Sequence, residues 1–286
     1  FIFPRGWSAL PPLVLVGCTL VTNVCTSNAI FGSNHKVTSV TEVLAIPSLG
    51  LVHPVWMERF PWLCQGCTIR SVDGVLYDFG FFSGGSSTES VQENWSTLMD
   101  VTGATSIAHG HQVHGTKIFT HKTASAGLNL FPDCDGHVTN SAGVLLAVTT
   151  ADCVPIFLVD AARRAIAVLH AGWRGIAAGI LDYGIRALRE HSGSWPMDLM
   201  MHLGPSICGA CYEVGTEVFE VLGQPIPRQP SPIDLRRILA QKADKMGIPL
   251  TNITVSGHCT RCTGSDLFSH RAGDMGRQVS YIGLRP

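Results

Sequence analysis

Three apolar segments in the middle of the chain constrain its fold more than any other feature. Each is six or seven residues long and almost free of charged side chains: residues 144–150 (VLLAVTT), 154–160 (VPIFLVD) and 165–170 (AIAVLH). Short continuous apolar runs of this kind, separated by bends, are typical of strands that are buried on both faces. The middle of the chain is therefore predicted to form three consecutive buried strands.

The segments around these strands alternate only partly between helical and strand patterns. Residues 176–191 place apolar side chains at helical spacing and predict one amphipathic helix, and residues 91–103 and 234–247 predict two more. An Asp-Gly dipeptide at 73–74 lies between β-rich runs and predicts a hairpin. Because the alternation is incomplete, a mixed-sheet α/β (α+β) fold is predicted rather than a simple doubly wound sheet.

Composition limits the possible partners and suggests a domain boundary. Hydrophobic residues make up 45% of the 286 residues, enough for a sizeable core, and the formal net charge is only −1. A broad basic surface is therefore excluded, and neither nucleic acid nor a membrane is expected as a partner. The apolar residues 10–21 are too few to span a bilayer. We interpret residues 1–54 as an N-terminal extension, disordered or mispredicted, and residues 55–286 as the compact domain.

Six of the ten cysteines form three CxxC pairs, at Cys64/Cys67, Cys208/Cys211 and Cys259/Cys262. Two such pairs often form a structural zinc site when roughly 15–20 residues separate them. Here the separations are 140 and 47 residues, which fits that pattern poorly. The interpretation favoured by spacing is that these are reduced thiols packed in a cytoplasmic protein.

Three further residues are candidate metal ligands because each stands at the end of a strand or in a loop. They are His114, in the histidine-rich stretch HGHQVHG, Cys153, in the bend ADC, and His170, at the end of the third apolar segment. Two imidazoles and one thiolate suit zinc and leave a fourth position open, as catalytic zinc sites require. The alternative is that these residues are simply packed in the core.

The motif HAGWRG, residues 170–175, offers a candidate anion site next to these ligands. Gly172 and Gly175 flank the start of a predicted helix, where backbone N–H groups and Arg174 could bind a phosphate. The alternative is a tight turn with Arg174 on the surface. Asp152 could orient a ligand, accept a proton or only cap the bend.

Several motifs, taken together and in order, resemble the laccase-domain family, also called YfiH-like, multicopper polyphenol oxidoreductase laccase or purine nucleoside phosphorylase. The resemblance extends from about Trp56 to the C-terminus, so residues 55–286 would be its catalytic domain with a YfiH-like layered sandwich. The motifs are QVHG (112–115), DCDGHVTN (133–140), ADCVP (151–155), HAGWRG (170–175), GPSICGACYEVG (204–215) and FSHRAGDMGRQ (268–278).

The resemblance implies a metal bound by His114, Cys153 and His170, with about one zinc ion per chain and copper as a possible substitute. His109 and His111 would be neighbours of the site, and the CxxC pairs would take no part in it. The implied activity is phosphorolysis of adenosine, inosine, guanosine and methylthioadenosine, together with deamination of adenosine. The protein would be a monomer or homodimer.

Arg174, the helix start and Arg271 are the candidate phosphate contacts. The chain departs from the family at two other cationic positions, so either Arg174 and Arg271 suffice for phosphate or the protein favours hydrolytic chemistry. Phe82 stands where the family often has an arginine, and Trp95 follows Asn94 where an arginine is expected. These departures put phosphate handling in doubt more than metal binding.

Three other functions remain open from the sequence. Cys153 could be the nucleophile of a cysteine hydrolase or amidase with His170 as its base, acting in peptidoglycan editing. Copper-dependent oxidation of polyphenols is a further alternative, although multicopper oxidases need several copper centres and this chain offers one three-ligand set. The last is a binding domain without catalysis.

Overall fold

The structure, a computed structural model, describes residues 37–45, 49–123 and 125–285. Within these residues the chain forms strands, α-helices and three single-turn 3₁₀ helices, at Pro196–Asp198, Leu250–Asn252 and His270–Ala272. The strands are β1 Thr38–Val40, β2 Val43–Ala45, β3 Gly50–Val52, β4 Leu63–Thr68, β5 Ser71–Val72, β6 Val75–Leu76, β7 Ser106–Gly110, β8 Ile118–His121, β9 Gly127–Phe131, β10 Gly136–Thr139, β11 Val144–Thr150, β12 Val154–Asp160, β13 Ala165–Ala171, β14 Leu199–Leu203, β15 Glu213–Val214, β16 Ser231–Pro232, β17 Ile253–Ser256 and β18 Gln278–Leu284. The helices are α1 Pro54–Arg59, α2 Thr88–Thr102, α3 Trp173–Ala178, α4 Ile180–Ser192, α5 Thr216–Val221 and α6 Leu235–Lys245.

Most of these strands belong to two seven-stranded sheets. The first sheet has the order β1-β17-β14-β12-β13-β10-β8, and the second has the order β2-β3-β4-β18-β11-β7-β9. Both are mixed: β12 pairs antiparallel with β13 and β14, whereas β14 pairs parallel with β17. The predicted Asp-Gly turn joins the short hairpin β5–β6, with both turn residues at positive φ.

The two sheets stack face to face, and helices cover their outer faces. In β12, Phe157 and Val159 belong to the core between the sheets, whereas Ile156 and Leu158 pack with residues of α4 and α6. In the second sheet, Leu145 of β11 packs against α2. Because every second side chain of these strands enters a different core, both faces must be apolar. The predicted mixed-sheet, layered α/β fold is confirmed.

The predicted single helix over residues 176–191 is wrong in one respect. Gly179 adopts a left-handed conformation with φ 91° and ends α3, and α4 begins at the next residue. A residue with a β-carbon is disfavoured at this backbone angle, so the glycine sets the break. The apolar periodicity continues across the break and therefore did not reveal it.

Within residues 37–45 and 49–52, three short strands belong to the two sheets. β1 pairs with β17, β2 pairs with β3, and β3 pairs with β4. Glu42, which lies between β1 and β2 in the chain, is 3% exposed. Its carboxylate accepts hydrogen bonds from His202 Nε2 at 3.0 Å and from the Ser256 hydroxyl at 2.8 Å. The boundary predicted after residue 54 therefore falls inside the folded part, because three-residue strands are too short to show a sequence pattern. The interpretation of residues 1–36 lies outside the described residues.

None of the helices within residues 37–45, 49–123 and 125–285 has the length and apolar character needed to cross a membrane.

Candidate metal centre and its cavity

The structure brings together the three predicted ligands, which we call the His–Cys–His cluster: His114, Cys153 and His170. One ligand atom from each lies within 4.8 Å of the others, and Cys153 Sγ is 3.8 Å from His114 Nε2. The antiparallel pairing of β12 with β13 explains part of this arrangement. Val154 lies opposite Ala171, which places Cys153 and His170 side by side where the two strands meet the loops at one end of the sheet. His114 reaches the same point from the loop after β7.

A buried carboxylate, Asp135, holds two of these ligands in place. It accepts hydrogen bonds from the backbone N–H groups of Val113, His114 and Gly115 at 3.2, 2.9 and 2.7 Å. It also lies 2.8 Å from Nδ1 of His170. Because the ionised Asp135 only accepts, His170 Nδ1 donates to it and Nε2 stays available as a ligand. Sequence reasoning noted Asp135 only as part of a motif, because nothing in the sequence linked it to ligands 21 and 35 residues away.

Gly172 owes its place to close packing against the cluster. A β-carbon there would lie 2.7 Å from His114 Cδ2 and 3.0 Å from Cys153 Sγ, so any larger residue would displace these two side chains. The helix that follows, α3, has only six residues. Close contact with His114 and Cys153 therefore accounts for the glycine at position 172.

Charge is shared between Cys153 and His170. Burial alone would raise the pKa of the Cys153 thiol, but the charge of His170 and hydrogen bonds with both histidines lower this pKa to about 6. Burial alone would lower the pKa of His170, but Cys153 and Asp135 raise it to about 9. Without a metal, the pair is therefore a thiolate and an imidazolium at neutral pH, and binding a metal would release the imidazolium proton.

Asp152 is oriented away from solution by its hydrogen bonds. Its φ is 90°, an angle that non-glycine residues seldom adopt, and it is 6% exposed. One carboxylate oxygen accepts from the Thr260 hydroxyl at 2.6 Å and the other accepts from the Arg271 N–H at 2.8 Å. Its carbonyl accepts from the Ile207 N–H at 3.1 Å. Of the three roles predicted for Asp152, these contacts favour the structural one at the bend, and they also join the bend to the loops that carry Ile207, Thr260 and Arg271.

The cluster opens into a cavity of about 520 Å³. Aromatic rings and arginines line it together with the cluster: Phe81, Phe82, Trp173, Tyr212, Arg174, Arg271 and Arg277. The guanidinium of Arg174 lies over the Trp173 ring and that of Arg271 over the Tyr212 ring, at 4.2 and 4.8 Å from the ring centroids. A cavity of this size with apolar walls and a few charged groups suits a small organic anion or a nucleoside-sized molecule.

The two departures from the family pattern have different structural settings. Phe82 lines the cavity, is 59% exposed and lies 4.4 Å from the His111 ring. Trp95 is 1% exposed in the core beneath the second sheet, and its indole N–H donates to the Phe79 carbonyl at 3.1 Å. Only the departure at Phe82 therefore alters the cavity.

Arg277 is a cavity residue that sequence reasoning missed. Its guanidinium donates to the Met275 and Gly276 carbonyls at 2.9 and 2.8 Å, and its backbone N–H donates to Asp78. Asp78 also accepts from the Gly80 N–H, so one carboxylate joins this arginine to the GFFSGG loop. Arg277 is the next-to-last residue of the motif FSHRAGDMGRQ, so this motif could have identified it as a site residue.

The other histidines of the HGHQVHG stretch lie outside the cluster. His109 is buried, with Nδ1 3.3 Å from the Ala147 carbonyl oxygen, and His111 lies 3.0 Å from the Asp133 carboxylate. The thiols of Cys64 and Cys67 lie on β4, also away from the cluster. The other two CxxC pairs, whose separation in sequence argued against a shared site, lie next to each other in the structure.

Comparison with known proteins identifies the family. Residues 77–285 match the model described as multi-copper polyphenol oxidoreductase laccase. That match covers most of the chain, so the chain belongs to this family, which confirms the resemblance seen in the motifs. The solved structure of YlmD from Geobacillus stearothermophilus superposes with a TM-score of 0.76 at 25% identity, covering 86% of this chain and all of that one. The Bacillus licheniformis hypothetical protein YfiH gives a TM-score of 0.73, also at 25% identity, covering 84% of this chain and 98% of that one.

Curated relatives carry enzyme names, which confirms the predicted enzyme class. The purine nucleoside phosphorylase YlmD of Geobacillus stearothermophilus is 35% identical over 193 residues, covering 61% of this chain and 70% of that protein. The adenosine deaminase RL5 from an unknown prokaryotic organism is 38% identical over 161 residues, covering 52% of this chain. The alignments span 59% of the Bacillus subtilis YlmD and 61% of RL5, less than two thirds of either relative.

Proposed function

We propose that this protein is a zinc-dependent purine nucleoside phosphorylase that also deaminates adenosine. The observation that carries the proposal is a three-donor metal cluster at the base of a nucleoside-sized cavity with aromatic and arginine walls. Relatives named purine nucleoside phosphorylase and adenosine deaminase support both activities. The substrates proposed are adenosine, inosine, guanosine and methylthioadenosine.

The donor set of the His–Cys–His cluster fits zinc. Two imidazole nitrogens and one thiolate are borderline ligands, and three protein ligands leave a position free, as in catalytic zinc sites. A zinc ion bound there would supply Lewis acidity to the reacting substrate. Copper binds the same donors, but a single three-ligand site does not provide the several centres that polyphenol oxidation by a multicopper enzyme requires.

The cavity walls are suited to hold the two parts of the substrate pair. The rings of Phe82, Trp173 and Tyr212 provide flat apolar surfaces for a purine base. Arg174 and Arg271 bring positive charge to the same cavity and are the proposed phosphate contacts. Since Phe82 replaces a family arginine, these two side chains must carry more of the phosphate binding.

The proposed phosphorolysis exchanges one bond at the ribose for another. The bond between C1′ and N9 of the purine breaks, a phosphate oxygen bonds to C1′, and the departing base takes up a proton. The arginines hold phosphate against C1′ and balance its charge as the bond forms. In deamination, the oxygen of water bonds to C6 and the bond between C6 and the exocyclic nitrogen breaks. One proton of the water ends on the departing nitrogen, which leaves as ammonia, and the other ends on N1 of the product.

A second candidate function, a cysteine hydrolase, is favoured by a specific observation. Cys153, His170 and Asp135 form a nucleophile, a base and an orienting carboxylate, and the lowered pKa of Cys153 makes its thiolate available. In this case Cys153 would attack an amide carbonyl directly, and the enzyme would work without metal.

Product analysis with adenosine and inosine tests the proposal. Purified protein is incubated with each nucleoside, with and without phosphate, before and after removal of metal by a chelator. We expect hypoxanthine and ribose 1-phosphate from inosine only when phosphate is present, ammonia from adenosine without it, and loss of both after chelation. Cys153→Ala should lose both activities, and Cys64→Ala, which removes a buried thiol outside the cavity, is its matched control. Amide hydrolysis by fully metal-free protein, with no nucleoside turnover, would instead establish the hydrolase.

A further inference from the structure

Two of the three CxxC pairs converge on one point next to the cavity. Their four sulfur atoms all lie within 4.8 Å of one another. We call this group the tetracysteine cluster, and it consists of Cys208, Cys211, Cys259 and Cys262. Two of its members are buried and two are half-buried, so none of the four is an exposed surface residue.

The fold explains why cysteines so far apart in sequence meet. The strands β14 and β17 are parallel neighbours in the first sheet, so the loops that follow them begin at the same end of the sheet. The pairing continues into these loops through a bridge between Ser206 and Cys259, and the Thr260 N–H donates to the Ser206 carbonyl at 3.2 Å. Each loop carries one CxxC pair directly beyond its strand, which brings the two pairs side by side.

The local geometry is that of a metal-binding knuckle. The Cys211 N–H donates to the Cys208 carbonyl at 3.0 Å, which closes a tight turn around the first pair. The Cys208 N–H points at the Cys259 sulfur at 3.2 Å, so a backbone donor is already directed at a ligand atom of the second pair. A backbone N–H placed in this way stabilises negative charge on sulfur.

One sulfur–sulfur distance equals the edge of a zinc tetrahedron, and all six are short enough for the four sulfurs to close around one ion. Four sulfurs bound at about 2.3 Å from a central zinc ion are about 3.8 Å apart along each edge. Cys211 Sγ and Cys262 Sγ are 3.8 Å apart, which is also far longer than the roughly 2.0 Å of a disulfide bond. Four thiolates without a carboxylate or imidazole form the donor set of structural zinc sites, in which no position is left for substrate.

From this geometry we infer that the tetracysteine cluster binds a structural zinc ion, separate from the His–Cys–His cluster. The inference does not depend on the proposed activity. Bound zinc would fix the loops after β14 and β17 to each other. These loops contribute Tyr212 to the cavity wall and Thr260 to the hydrogen bond with Asp152, so the second ion would hold one side of the cavity in place.

Metal analysis of the full-length protein tests the inference. The protein is expressed with zinc in the medium, and zinc is quantified for the wild type, for Cys211→Ala/Cys262→Ala and for the matched control Cys64→Ala/Cys67→Ala, whose CxxC pair lies on β4. We expect the Cys211→Ala/Cys262→Ala variant to hold one zinc ion per chain fewer than the wild type and the control, which is one against two when the His–Cys–His cluster is also loaded and none against one when it is not. An unchanged zinc content in that variant overturns the inference.

A second measurement decides the question even if that variant does not fold. The Cys153→Ala protein lacks the thiolate of the His–Cys–His cluster. It is loaded with Co²⁺ in place of zinc. We expect strong visible bands and a sulfur-to-cobalt charge-transfer absorption typical of four thiolates. A spectrum without thiolate ligation, disulfides within the cluster detected by mass spectrometry, or iron in place of zinc would each overturn the assignment.

Discussion

The two sulfur-containing clusters of this protein are both compact, yet their surroundings differ. In each, the candidate ligand atoms lie within 4.8 Å of one another. The His–Cys–His cluster mixes nitrogen with sulfur, includes an exposed histidine and opens into a cavity of about 520 Å³. The tetracysteine cluster has four sulfurs and no exposed member.

This difference shows how the number of donor atoms and the access of substrate to a site separate a reaction centre from a structural metal site. Three mixed donors beside a cavity leave room for a substrate, whereas four thiolates satisfy the coordination of the metal and exclude one. The supporting contacts follow the same division. Asp135 orients a ligand of the His–Cys–His cluster, which we also call the open cluster. The tetracysteine cluster, or closed cluster, is supported by backbone N–H groups and a sheet pairing.

The most severe test of the comparison is removal of the one thiolate in the open cluster. We expect Cys153→Ala to lower kcat/KM for nucleosides by about 10³-fold or more, because it removes a metal ligand and with it several kcal/mol of transition-state stabilisation. Steady-state kinetics measures the effect, with Cys64→Ala as control. Activity within tenfold of the wild type would show that the open cluster is not the reaction centre.

Alkylation compares the two clusters directly in metal-free protein. Cys153 has a pKa lowered to about 6, whereas a hydrogen bond with Cys208 and burial raise the pKa of Cys259 to about 12. At pH 7 Cys153 is mostly thiolate and Cys259 is almost wholly thiol. The lower intrinsic reactivity of an acidic thiolate offsets part of this advantage, so we expect Cys153 to react on the order of 10²-fold faster.

Iodoacetamide labelling followed by peptide mass spectrometry measures both rates in one sample. The Cys153 rate should rise with pH to a plateau above about pH 6 to 7, because the reactive form is the deprotonated one. Equal rates at the two cysteines, or a Cys153 rate that still rises steeply above pH 8, would contradict the charge distribution described for the open cluster.

A smaller effect is expected when the orienting carboxylate of the open cluster is neutralised. Asp135→Asn keeps the shape but weakens the hydrogen bond to His170 Nδ1, and such changes cost about 10–100-fold in metal affinity or activity. Zinc titration and kcat/KM measure this. Asp133→Asn, which changes an exposed carboxylate beside His111, should leave both unaltered. An Asp135→Asn protein with wild-type zinc affinity and activity would remove the orienting role.

The smallest expected effect is on the hydrogen bond that joins the two regions. Thr260→Val removes the hydroxyl that donates to Asp152 and leaves a buried carboxylate oxygen without that donor, at a cost of about 1–3 kcal/mol. Denaturant unfolding should detect the loss. Thr97→Val, whose hydroxyl bonds only within an exposed helix face, should change stability by less than about 0.5 kcal/mol. Equal losses in both variants would mean that this link does not stabilise the fold.

The sequence predicted the strands best where burial on both faces left a continuous apolar record. Residues 144–150, 154–160 and 165–170 are strands within one residue of their predicted bounds. The motifs also singled out His114, Cys153 and His170, which the structure brings together; that they bind a metal stays a prediction. Asp135 was missed because it acts through space, on His114 and on His170 across a strand pairing.

The tetracysteine cluster was missed for a related reason. The spacing rule for zinc knuckles presumes that a short local segment joins the two pairs, whereas here a crossover containing α5 and α6 lies between them. Parallel neighbours require such a long connection. Sequence separation therefore said little about distance, and only the pairing of β14 with β17 revealed the contact.

The buried carboxylate of Glu42 bears on how the chain tolerates shortening. A polypeptide that began at residue 55 would lose β1, β2 and β3, and so would uncover β17 and β4 as new sheet edges. Unprotected edges are templates for pairing with other molecules, and His202 would at the same time lose the acceptor of its Nε2–H. Such a trimmed protein should self-associate, even though all of its proposed metal ligands would still be present.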